Sequence, residues 1–133
     1  MENRLLGIDP GRSKTGLALV DNKGQILELA IVATAAFAEE LKAFLKGQEP
    51  SAIIMGDGTF SKELAAIIKS IWPHLDLHLV GEAHSTEEAR ALYWQVNPPR
   101  GWRSLLPLGL LVPTVPLDDY AAVVQVRRWL SNK

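Results

Sequence analysis

The chain contains no cysteine. That absence removes disulfide scaffolds, zinc ribbons, redox pairs and thiol nucleophiles in one step, and it fits a reducing cytoplasm. Charge of one sign is also lacking. Fourteen basic residues against fifteen acidic ones leave a formal net charge of −1, which argues against a protein that holds nucleic acid or an anionic membrane by bulk charge. Long apolar runs are missing too: the greasiest stretch, LLPLGLLV, is far short of the ~20 residues a bilayer span needs. The start, MENRLLGID, has no basic segment followed by an apolar one, so neither a targeting segment nor a membrane span is expected. Neither repeats nor low-complexity tracts are visible. What is present is an ordinary globular composition, 47% hydrophobic and 22% charged over 133 residues, which predicts a single domain over residues 1–133. Folding at that length buries about two thirds of the surface the unfolded chain exposes, so no disulfide or structural metal is needed for a core. The charge is uneven along the chain. Residues 1–96 carry nine basic and thirteen acidic side chains, residues 97–133 five and two, so any polyanion would have to meet a local basic patch.

Residues 4–9, RLLGID, form a nearly unbroken apolar run ending in an acid, as expected of a strand covered on both faces and opening onto solvent. After the turn-forming PGRSKTG, the segments LALVD and QILELAIVAT read as two strands joined by a hairpin turn at Asn22-Lys23-Gly24. Apolar residues at helical spacing then predict a helix from Ala35 to Gly47. SAIIMG follows as a short buried strand, KELAAIIKSIW as an amphipathic helix closed by Pro73, and LDLHLVGE as a strand that again ends in an acid. Ser85 and Glu88 form a candidate capping box for the helix TEEARALYW, which Asn97-Pro98-Pro99 ends. Residues 97–117 read as an ordered but irregular loop before a last helix from about Asp118 to Leu130.

Three antiparallel strands followed by two parallel βα units give a mixed five-stranded α/β sheet with helices on both faces, a ribonuclease H-like sheet. Right-handed crossovers place the first, fourth and fifth strands side by side. Ligands of open α/β sheets bind beyond the carboxyl ends of the parallel strands, where Asp9 and Glu82 stand. An Asp at the start of the last helix completes a cluster of three carboxylates. Bare carboxylates so close repel one another unless protons or cations share the site, and Mg²⁺ or Mn²⁺ is the natural occupant of an all-oxygen set. Such a site suits hydrolytic phosphoryl chemistry.

The segments LGIDPGRSKTGLALVD, IIMGDG, VGEAHSTEEAR and PLDDYAAVVQ resemble the motifs of the YqgF/RuvX proteins, relatives of RuvC-type Holliday junction resolvases. The resemblance covers almost the whole chain. It implies an RNase H-like nuclease fold that uses divalent metal, with a role in processing the 5′ end of the 16S ribosomal RNA precursor or in resolving branched DNA. By motif position it puts the acids at Asp9, Glu82 and Asp118. The chain departs from the pattern in two places: an Arg expected after Glu82 is replaced by Ala83, and Gly56-Asp57-Gly58 stands where many members have Gly-x-Pro. On a helical wheel the bulk of Ala122, Val123, Val126, Trp129 and Leu130 points Asp119, rather than Asp118, at the sheet. Both remain candidates for the third acid.

Arg12 and Lys14 in the first turn, and Arg100, Trp102 and Arg103 in the irregular loop, are candidate nucleic-acid contacts, the last three combining charge with a stacking surface. The alternative is that Trp102 packs into the core and its neighbours are merely solvated. His84 is a candidate for proton transfer beside Glu82 or a solvated loop residue. Gly56-Asp57-Gly58 lacks the third Gly and the Lys-Ser/Thr of a phosphate loop and reads as a strand-to-helix turn. His74 and His78 are separated by a change of element and form no zinc pair, and Arg127 and Arg128 are accounted for by the helix macrodipole. Two other classes compete. The Asp9-Pro10-Gly11 turn also resembles the phosphate hairpin of actin and sugar kinases, which need two domains around a cleft, and a non-catalytic nucleic-acid- or protein-binding module could keep the fold without the chemistry. Resolution of a two-fold junction would favour a homodimer.

Overall fold

In the computed structural model, which describes residues 4–83, 85–107, 111, 113 and 115–132, the expected order of elements is found. Strands β1 (Leu5–Asp9), β2 (Lys14–Val20) and β3 (Ile26–Ala33) form an antiparallel meander. Its hairpin turn is fixed by Asp21, whose Oδ1 accepts from the Lys23 and Gln25 amides, both at 2.9 Å, while Gly24 takes the left-handed φ of 87°. A 3₁₀ turn at Thr34–Ala36 leads into α1 (Phe37–Leu45), followed by β4 (Ala52–Gly56), α2 (Ser61–Ile71) and β5 (Leu77–Val80). The sheet order is β3-β2-β1-β4-β5, with β4 parallel to β1 and β5 parallel to β4. The last two helices are α3 (Ser85–Val96) and α4 (Asp118–Ser131), and between them Gly101–Leu105 form a second 3₁₀ turn in the expected irregular loop.

Alternation along the strands sends successive residues to opposite faces and builds two cores. Leu6, Ile8, Leu17, Leu19, Ile53 and Met55 pack under α1 and α2, through Phe37, Leu41, Leu64 and Ile68. Leu5, Ala18, Val20 and Ile54 pack on the other face under α3 and α4. Helix α4 lies flat on β1 and β2, because a Cβ on Gly7 would meet the Ala122 carbonyl oxygen at 2.5 Å and one on Gly16 would collide with the backbone of Asp118. α3 covers α4 from outside, so every residue from Tyr120 to Val126 is buried.

Two details differ from the sequence reading. Ser85 lies inside α3 rather than capping it, and Glu88 does not turn back on its own helix end but pairs with Arg128. No described helix is long and apolar enough to cross a membrane.

Candidate active site

Asp9 is the last residue of β1 and lies opposite Gly16 of β2 in the antiparallel register. Because Gly16 has no side chain, the first turn of α4 settles directly above it, and this is what brings Asp118 over the end of β1. Glu82 comes from the connection two residues beyond β5. Its carboxylate turns back across the sheet and lies against Gly56 and Gly58, where a Cβ on either glycine would collide with it. Gly56-Asp57-Gly58, read from sequence as a plain turn, is therefore also the recess that receives Glu82. The sequence carried a sign of this, two glycines at the carboxyl end of a buried strand, but not the identity of the group they admit.

Asp9, Glu82 and Asp118 line one cleft of about 430 Å³, together with Pro10, Ser85 and Thr86. Three distant segments of the chain thus supply three carboxyl groups. The Asp9 carboxyl is pushed up from 3.8 to about 7 by burial first, then by the negative charges of Glu82 and Asp118 and by a hydrogen bond with the Glu82 carboxyl. Glu82 Oε1 is buried and has no hydrogen-bond partner among the described residues. An unpartnered buried carboxylate oxygen is costly, and beside two more acids it is an acceptor that suits a proton or a cation. Among the described residues no group of three His, Asp or Glu side chains stands ready-made to hold a metal ion. The donor set nevertheless fits a hard divalent cation, being all oxygen, with one oxygen unpartnered and one carboxyl whose proton affinity is raised by burial and by its acidic neighbours.

Asp119 does not join this cleft. Its Oδ1 accepts from the Tyr120 amide at 2.9 Å, and partial burial, aided by the Asp118 charge and opposed by backbone hydrogen bonds, raises its pKa. The helical wheel points Asp119 at the sheet, whereas of the two candidates it is Asp118 that lines the cleft. α4 is buried against both the sheet and α3, so the direction of its apolar bulk averages two contact surfaces and does not point at the sheet.

Arg128 was also misread from sequence. Its Nη1 donates to the Gly81 carbonyl at 2.6 Å, its Nη2 to the Ala83 carbonyl, and its guanidinium pairs with Glu88 at 3.1 Å. It fixes the chain on both sides of Glu82, a task beyond the macrodipole account. Of the remaining candidates, Arg12 and Lys14 are exposed in the β1–β2 turn, with the Arg12 guanidinium 6.0 Å from the Phe60 ring centroid. That turn is anchored by buried hydroxyls. Thr34 donates to the Gly11 carbonyl at 2.8 Å, which leaves Thr15 to donate to Thr34, also at 2.8 Å. Arg100 and Arg103 are exposed, and Trp102 is 69% exposed with Arg103 5.8 Å from its ring centroid, so the core alternative for Trp102 does not hold. His84 and loop positions 108–110, 112 and 114 lie outside the described residues. His74 pairs with Glu49, and His78 stacks on Trp129 at 4.9 Å.

No protein-family model matches the chain, and no curated protein matches its sequence. Solved structures do match in three dimensions. T. thermophilus RuvC in complex with a Holliday junction substrate superposes with a TM-score of 0.61 at 14% identity, over 98% of this chain and 96% of that one. The Fowlpox virus resolvase, in complex with Holliday junction DNA, gives 0.60 at 11% identity over 97% of each chain. The chain has the RuvC, RNase H-like fold. A further T. thermophilus RuvC structure agrees, with a TM-score of 0.53 at 16% identity over 98% of this chain and 97% of that one. Within this RuvC-like fold the acid-lined cleft sits beyond the carboxyl ends of the parallel strands, where open α/β sheets place their ligands.

Proposed function

We propose that the chain is a metal-dependent nuclease that hydrolyses phosphodiester bonds of structured nucleic acid. The observation that carries this reading is the convergence of Asp9, Glu82 and Asp118 on one cleft, with Asp9 raised to about 7 and a buried Glu82 oxygen left unpartnered. These three side chains would hold Mg²⁺ or Mn²⁺, which when bound activates water and stabilises the leaving oxygen of a phosphodiester. The chain's own residues supply the rest. Asp118 is held over β1 by the close seat of α4 on Gly16, Glu82 is kept in its recess by Arg128, and Arg12 and Lys14 stand exposed to meet phosphates at the rim. Substrate identity rests on two likenesses: the fold is shared with proteins solved on Holliday junctions, while the motifs resemble YqgF/RuvX proteins and so point to the 16S ribosomal RNA precursor. A homodimer suits the first substrate, whose arms are related by two-fold symmetry.

A second reading, a binding module without chemistry, draws on the hydrogen bond between the Asp9 and Glu82 carboxyls, which offsets part of the repulsion between these two acids. One experiment separates the two. The purified protein is incubated with Mg²⁺ or Mn²⁺ and labelled single-stranded RNA, duplex and four-way junction. Asp9→Asn, Glu82→Gln and Asp118→Asn are expected to abolish cleavage while Asp119→Asn retains it. Cleavage that survives Asp9→Asn would overturn the catalytic assignment.

A further inference from the structure

Three clefts run along α3: one between α3 and α4, lined by Glu88, Leu92, Gln95 and Arg127, and two toward the helix ends, of which the acid cleft is one. Ser85 and Thr86 line it at the amino end of that helix, while Tyr93, Trp94, Asn97, Arg100 and Arg103 line a second one, of about 480 Å³, at the carboxyl end. The two are structurally joined, since the Tyr93 and Tyr120 rings meet edge to face at 5.4 Å and Asn97 Nδ2 donates to the Tyr120 hydroxyl at 2.9 Å, and Tyr120 is two residues from Asp118 in α4. Between them lies Arg90. It shares a stripe of the helix with Thr86 and Trp94, at successive four-residue steps of about 5–6 Å. Arg90 is half-buried, and its Nε is buried with no hydrogen-bond partner among the described residues. A guanidinium is always charged and is not left with a buried unpartnered donor without cost. Arg90 closes the segment VGEAHSTEEAR, but the resemblance carried by that segment assigns it no role, and it does not line the acid cleft.

We infer that α3 is the track along which an unpaired nucleic-acid strand leaves the acid cleft, with Arg90 contacting a backbone phosphate midway and the Tyr93/Trp94 cleft receiving an unstacked base. The chemistry at each station suits the ligand. Arg100 and Arg103 place exposed cations on the second cleft, and Tyr93 and Trp94 line it with aromatic rings. From Ser85 to Val96 the helix rises about 17 Å, long enough for a strand of a few nucleotides to run from one cleft to the other. The contacts along α3 hold the strand on one side of the scissile bond.

This inference rests on the nuclease reading for where the strand begins, so its test is binding without metal, which does not depend on cleavage. Fluorescent single-stranded DNA and RNA oligonucleotides are titrated in EDTA against wild type, Arg90→Gln, Arg90→Lys and the Arg100→Ala/Arg103→Ala double variant. Arg90→Gln is expected to weaken binding about tenfold and to reduce the salt slope by ~0.7, the counterion term for one lost single-strand contact, while Arg90→Lys keeps the slope. Wild-type protein supplies a test that no folding defect can confuse. Oligonucleotides carrying a photoreactive uracil should crosslink to the segment from Tyr93 to Arg103, and trimming should cost affinity on one side alone. Unchanged affinity and slope in Arg90→Gln, or crosslinks confined to other segments, overturn the track. Binding along α3 by a protein that cleaves nothing in any metal would uphold it and instead overturn the nuclease reading.

Discussion

Arg128 holds Glu82 by its backbone. The guanidinium never touches the carboxylate but donates to the carbonyls of Gly81 and Ala83, the residues on either side, and is itself fixed by Glu88. A short connection beyond an edge strand is otherwise poorly constrained, so the direction of Glu82 depends on a side chain near the far end of α4. Arg128→Ala should therefore lower stability by about 2–3 kcal/mol, the scale of lost charge-assisted hydrogen bonds, and weaken Mn²⁺ binding more than Glu88→Ala does. Calorimetric Mn²⁺ titration of the two variants checks this. Equal metal affinity in wild type and Arg128→Ala would leave Arg128 a purely structural residue.

The glycines around the site predict two opposite failures. A methyl at Gly58 meets the tip of a flexible carboxylate, which can move aside, so Gly58→Ala should keep most of its stability and lose metal-dependent cleavage. At Gly16 the same methyl meets the backbone of Asp118 and Asp119, which cannot move without lifting α4. Gly16→Ala should cost at least the ~1–3 kcal/mol of an overpacked core. Thermal melts beside cleavage assays separate the cases.

The strands and the acids that end or follow them were legible in the sequence, because buried strands leave unbroken apolar runs and an acid after such a run is conspicuous. LLGID reads that way, and LDLHLVGE shows the acid after its strand. The seating of the acids was not legible. Gly16 and Asp118 are far apart in the chain, and only the packing of α4 on β2 shows that one glycine makes room for the other residue's backbone. Arg128 looked sufficient as a helix-end cation because its partners, Gly81 and Ala83, are backbone carbonyls with no side-chain signature. Asp119 was misdirected for a different reason: a helix buried on two sides has no single apolar direction to read.

Acid titration gives a sign that distinguishes this cleft from an ordinary surface. Asp9, raised from 3.8 to about 7, binds its proton more tightly in the folded than in the unfolded chain. Between those values the native state holds more protons, so stability falls as pH rises from about 4 to 7. Metal-free protein should accordingly melt higher at pH 5 than at pH 8, as far as this group is concerned. Asp9→Asn should remove that contribution and raise the melting temperature at pH 8. Mn²⁺ should stabilise wild type at pH 8 with the logarithm of its concentration above Kd, and the Asp9→Asn/Glu82→Gln/Asp118→Asn variant not at all. An identical Mn²⁺ response in both proteins would put the cation elsewhere on the acidic surface.

The exposed indole of Trp102 gives the last prediction. At 69% exposure it contributes little to the core, so Trp102→Ala should leave the stability within about 0.5 kcal/mol of wild type. Its ring is already faced by the Arg103 guanidinium, which leaves a cationic aromatic surface open to solvent beside the second cleft. If an unpaired base stacks there, Trp102→Ala weakens single-strand binding by ~1–3 kcal/mol and leaves the salt slope unchanged, because stacking releases no counterions. Arg100→Ala and Arg103→Ala should behave in the complementary way, each reducing the slope by ~0.7 at all sequences alike. Salt titrations of the three variants on one oligonucleotide make the comparison. A Trp102→Ala protein that binds as wild type does, with both Arg variants keeping the full slope, would remove this loop from the binding surface and leave Arg12 and Lys14 as the phosphate contacts at the cleft.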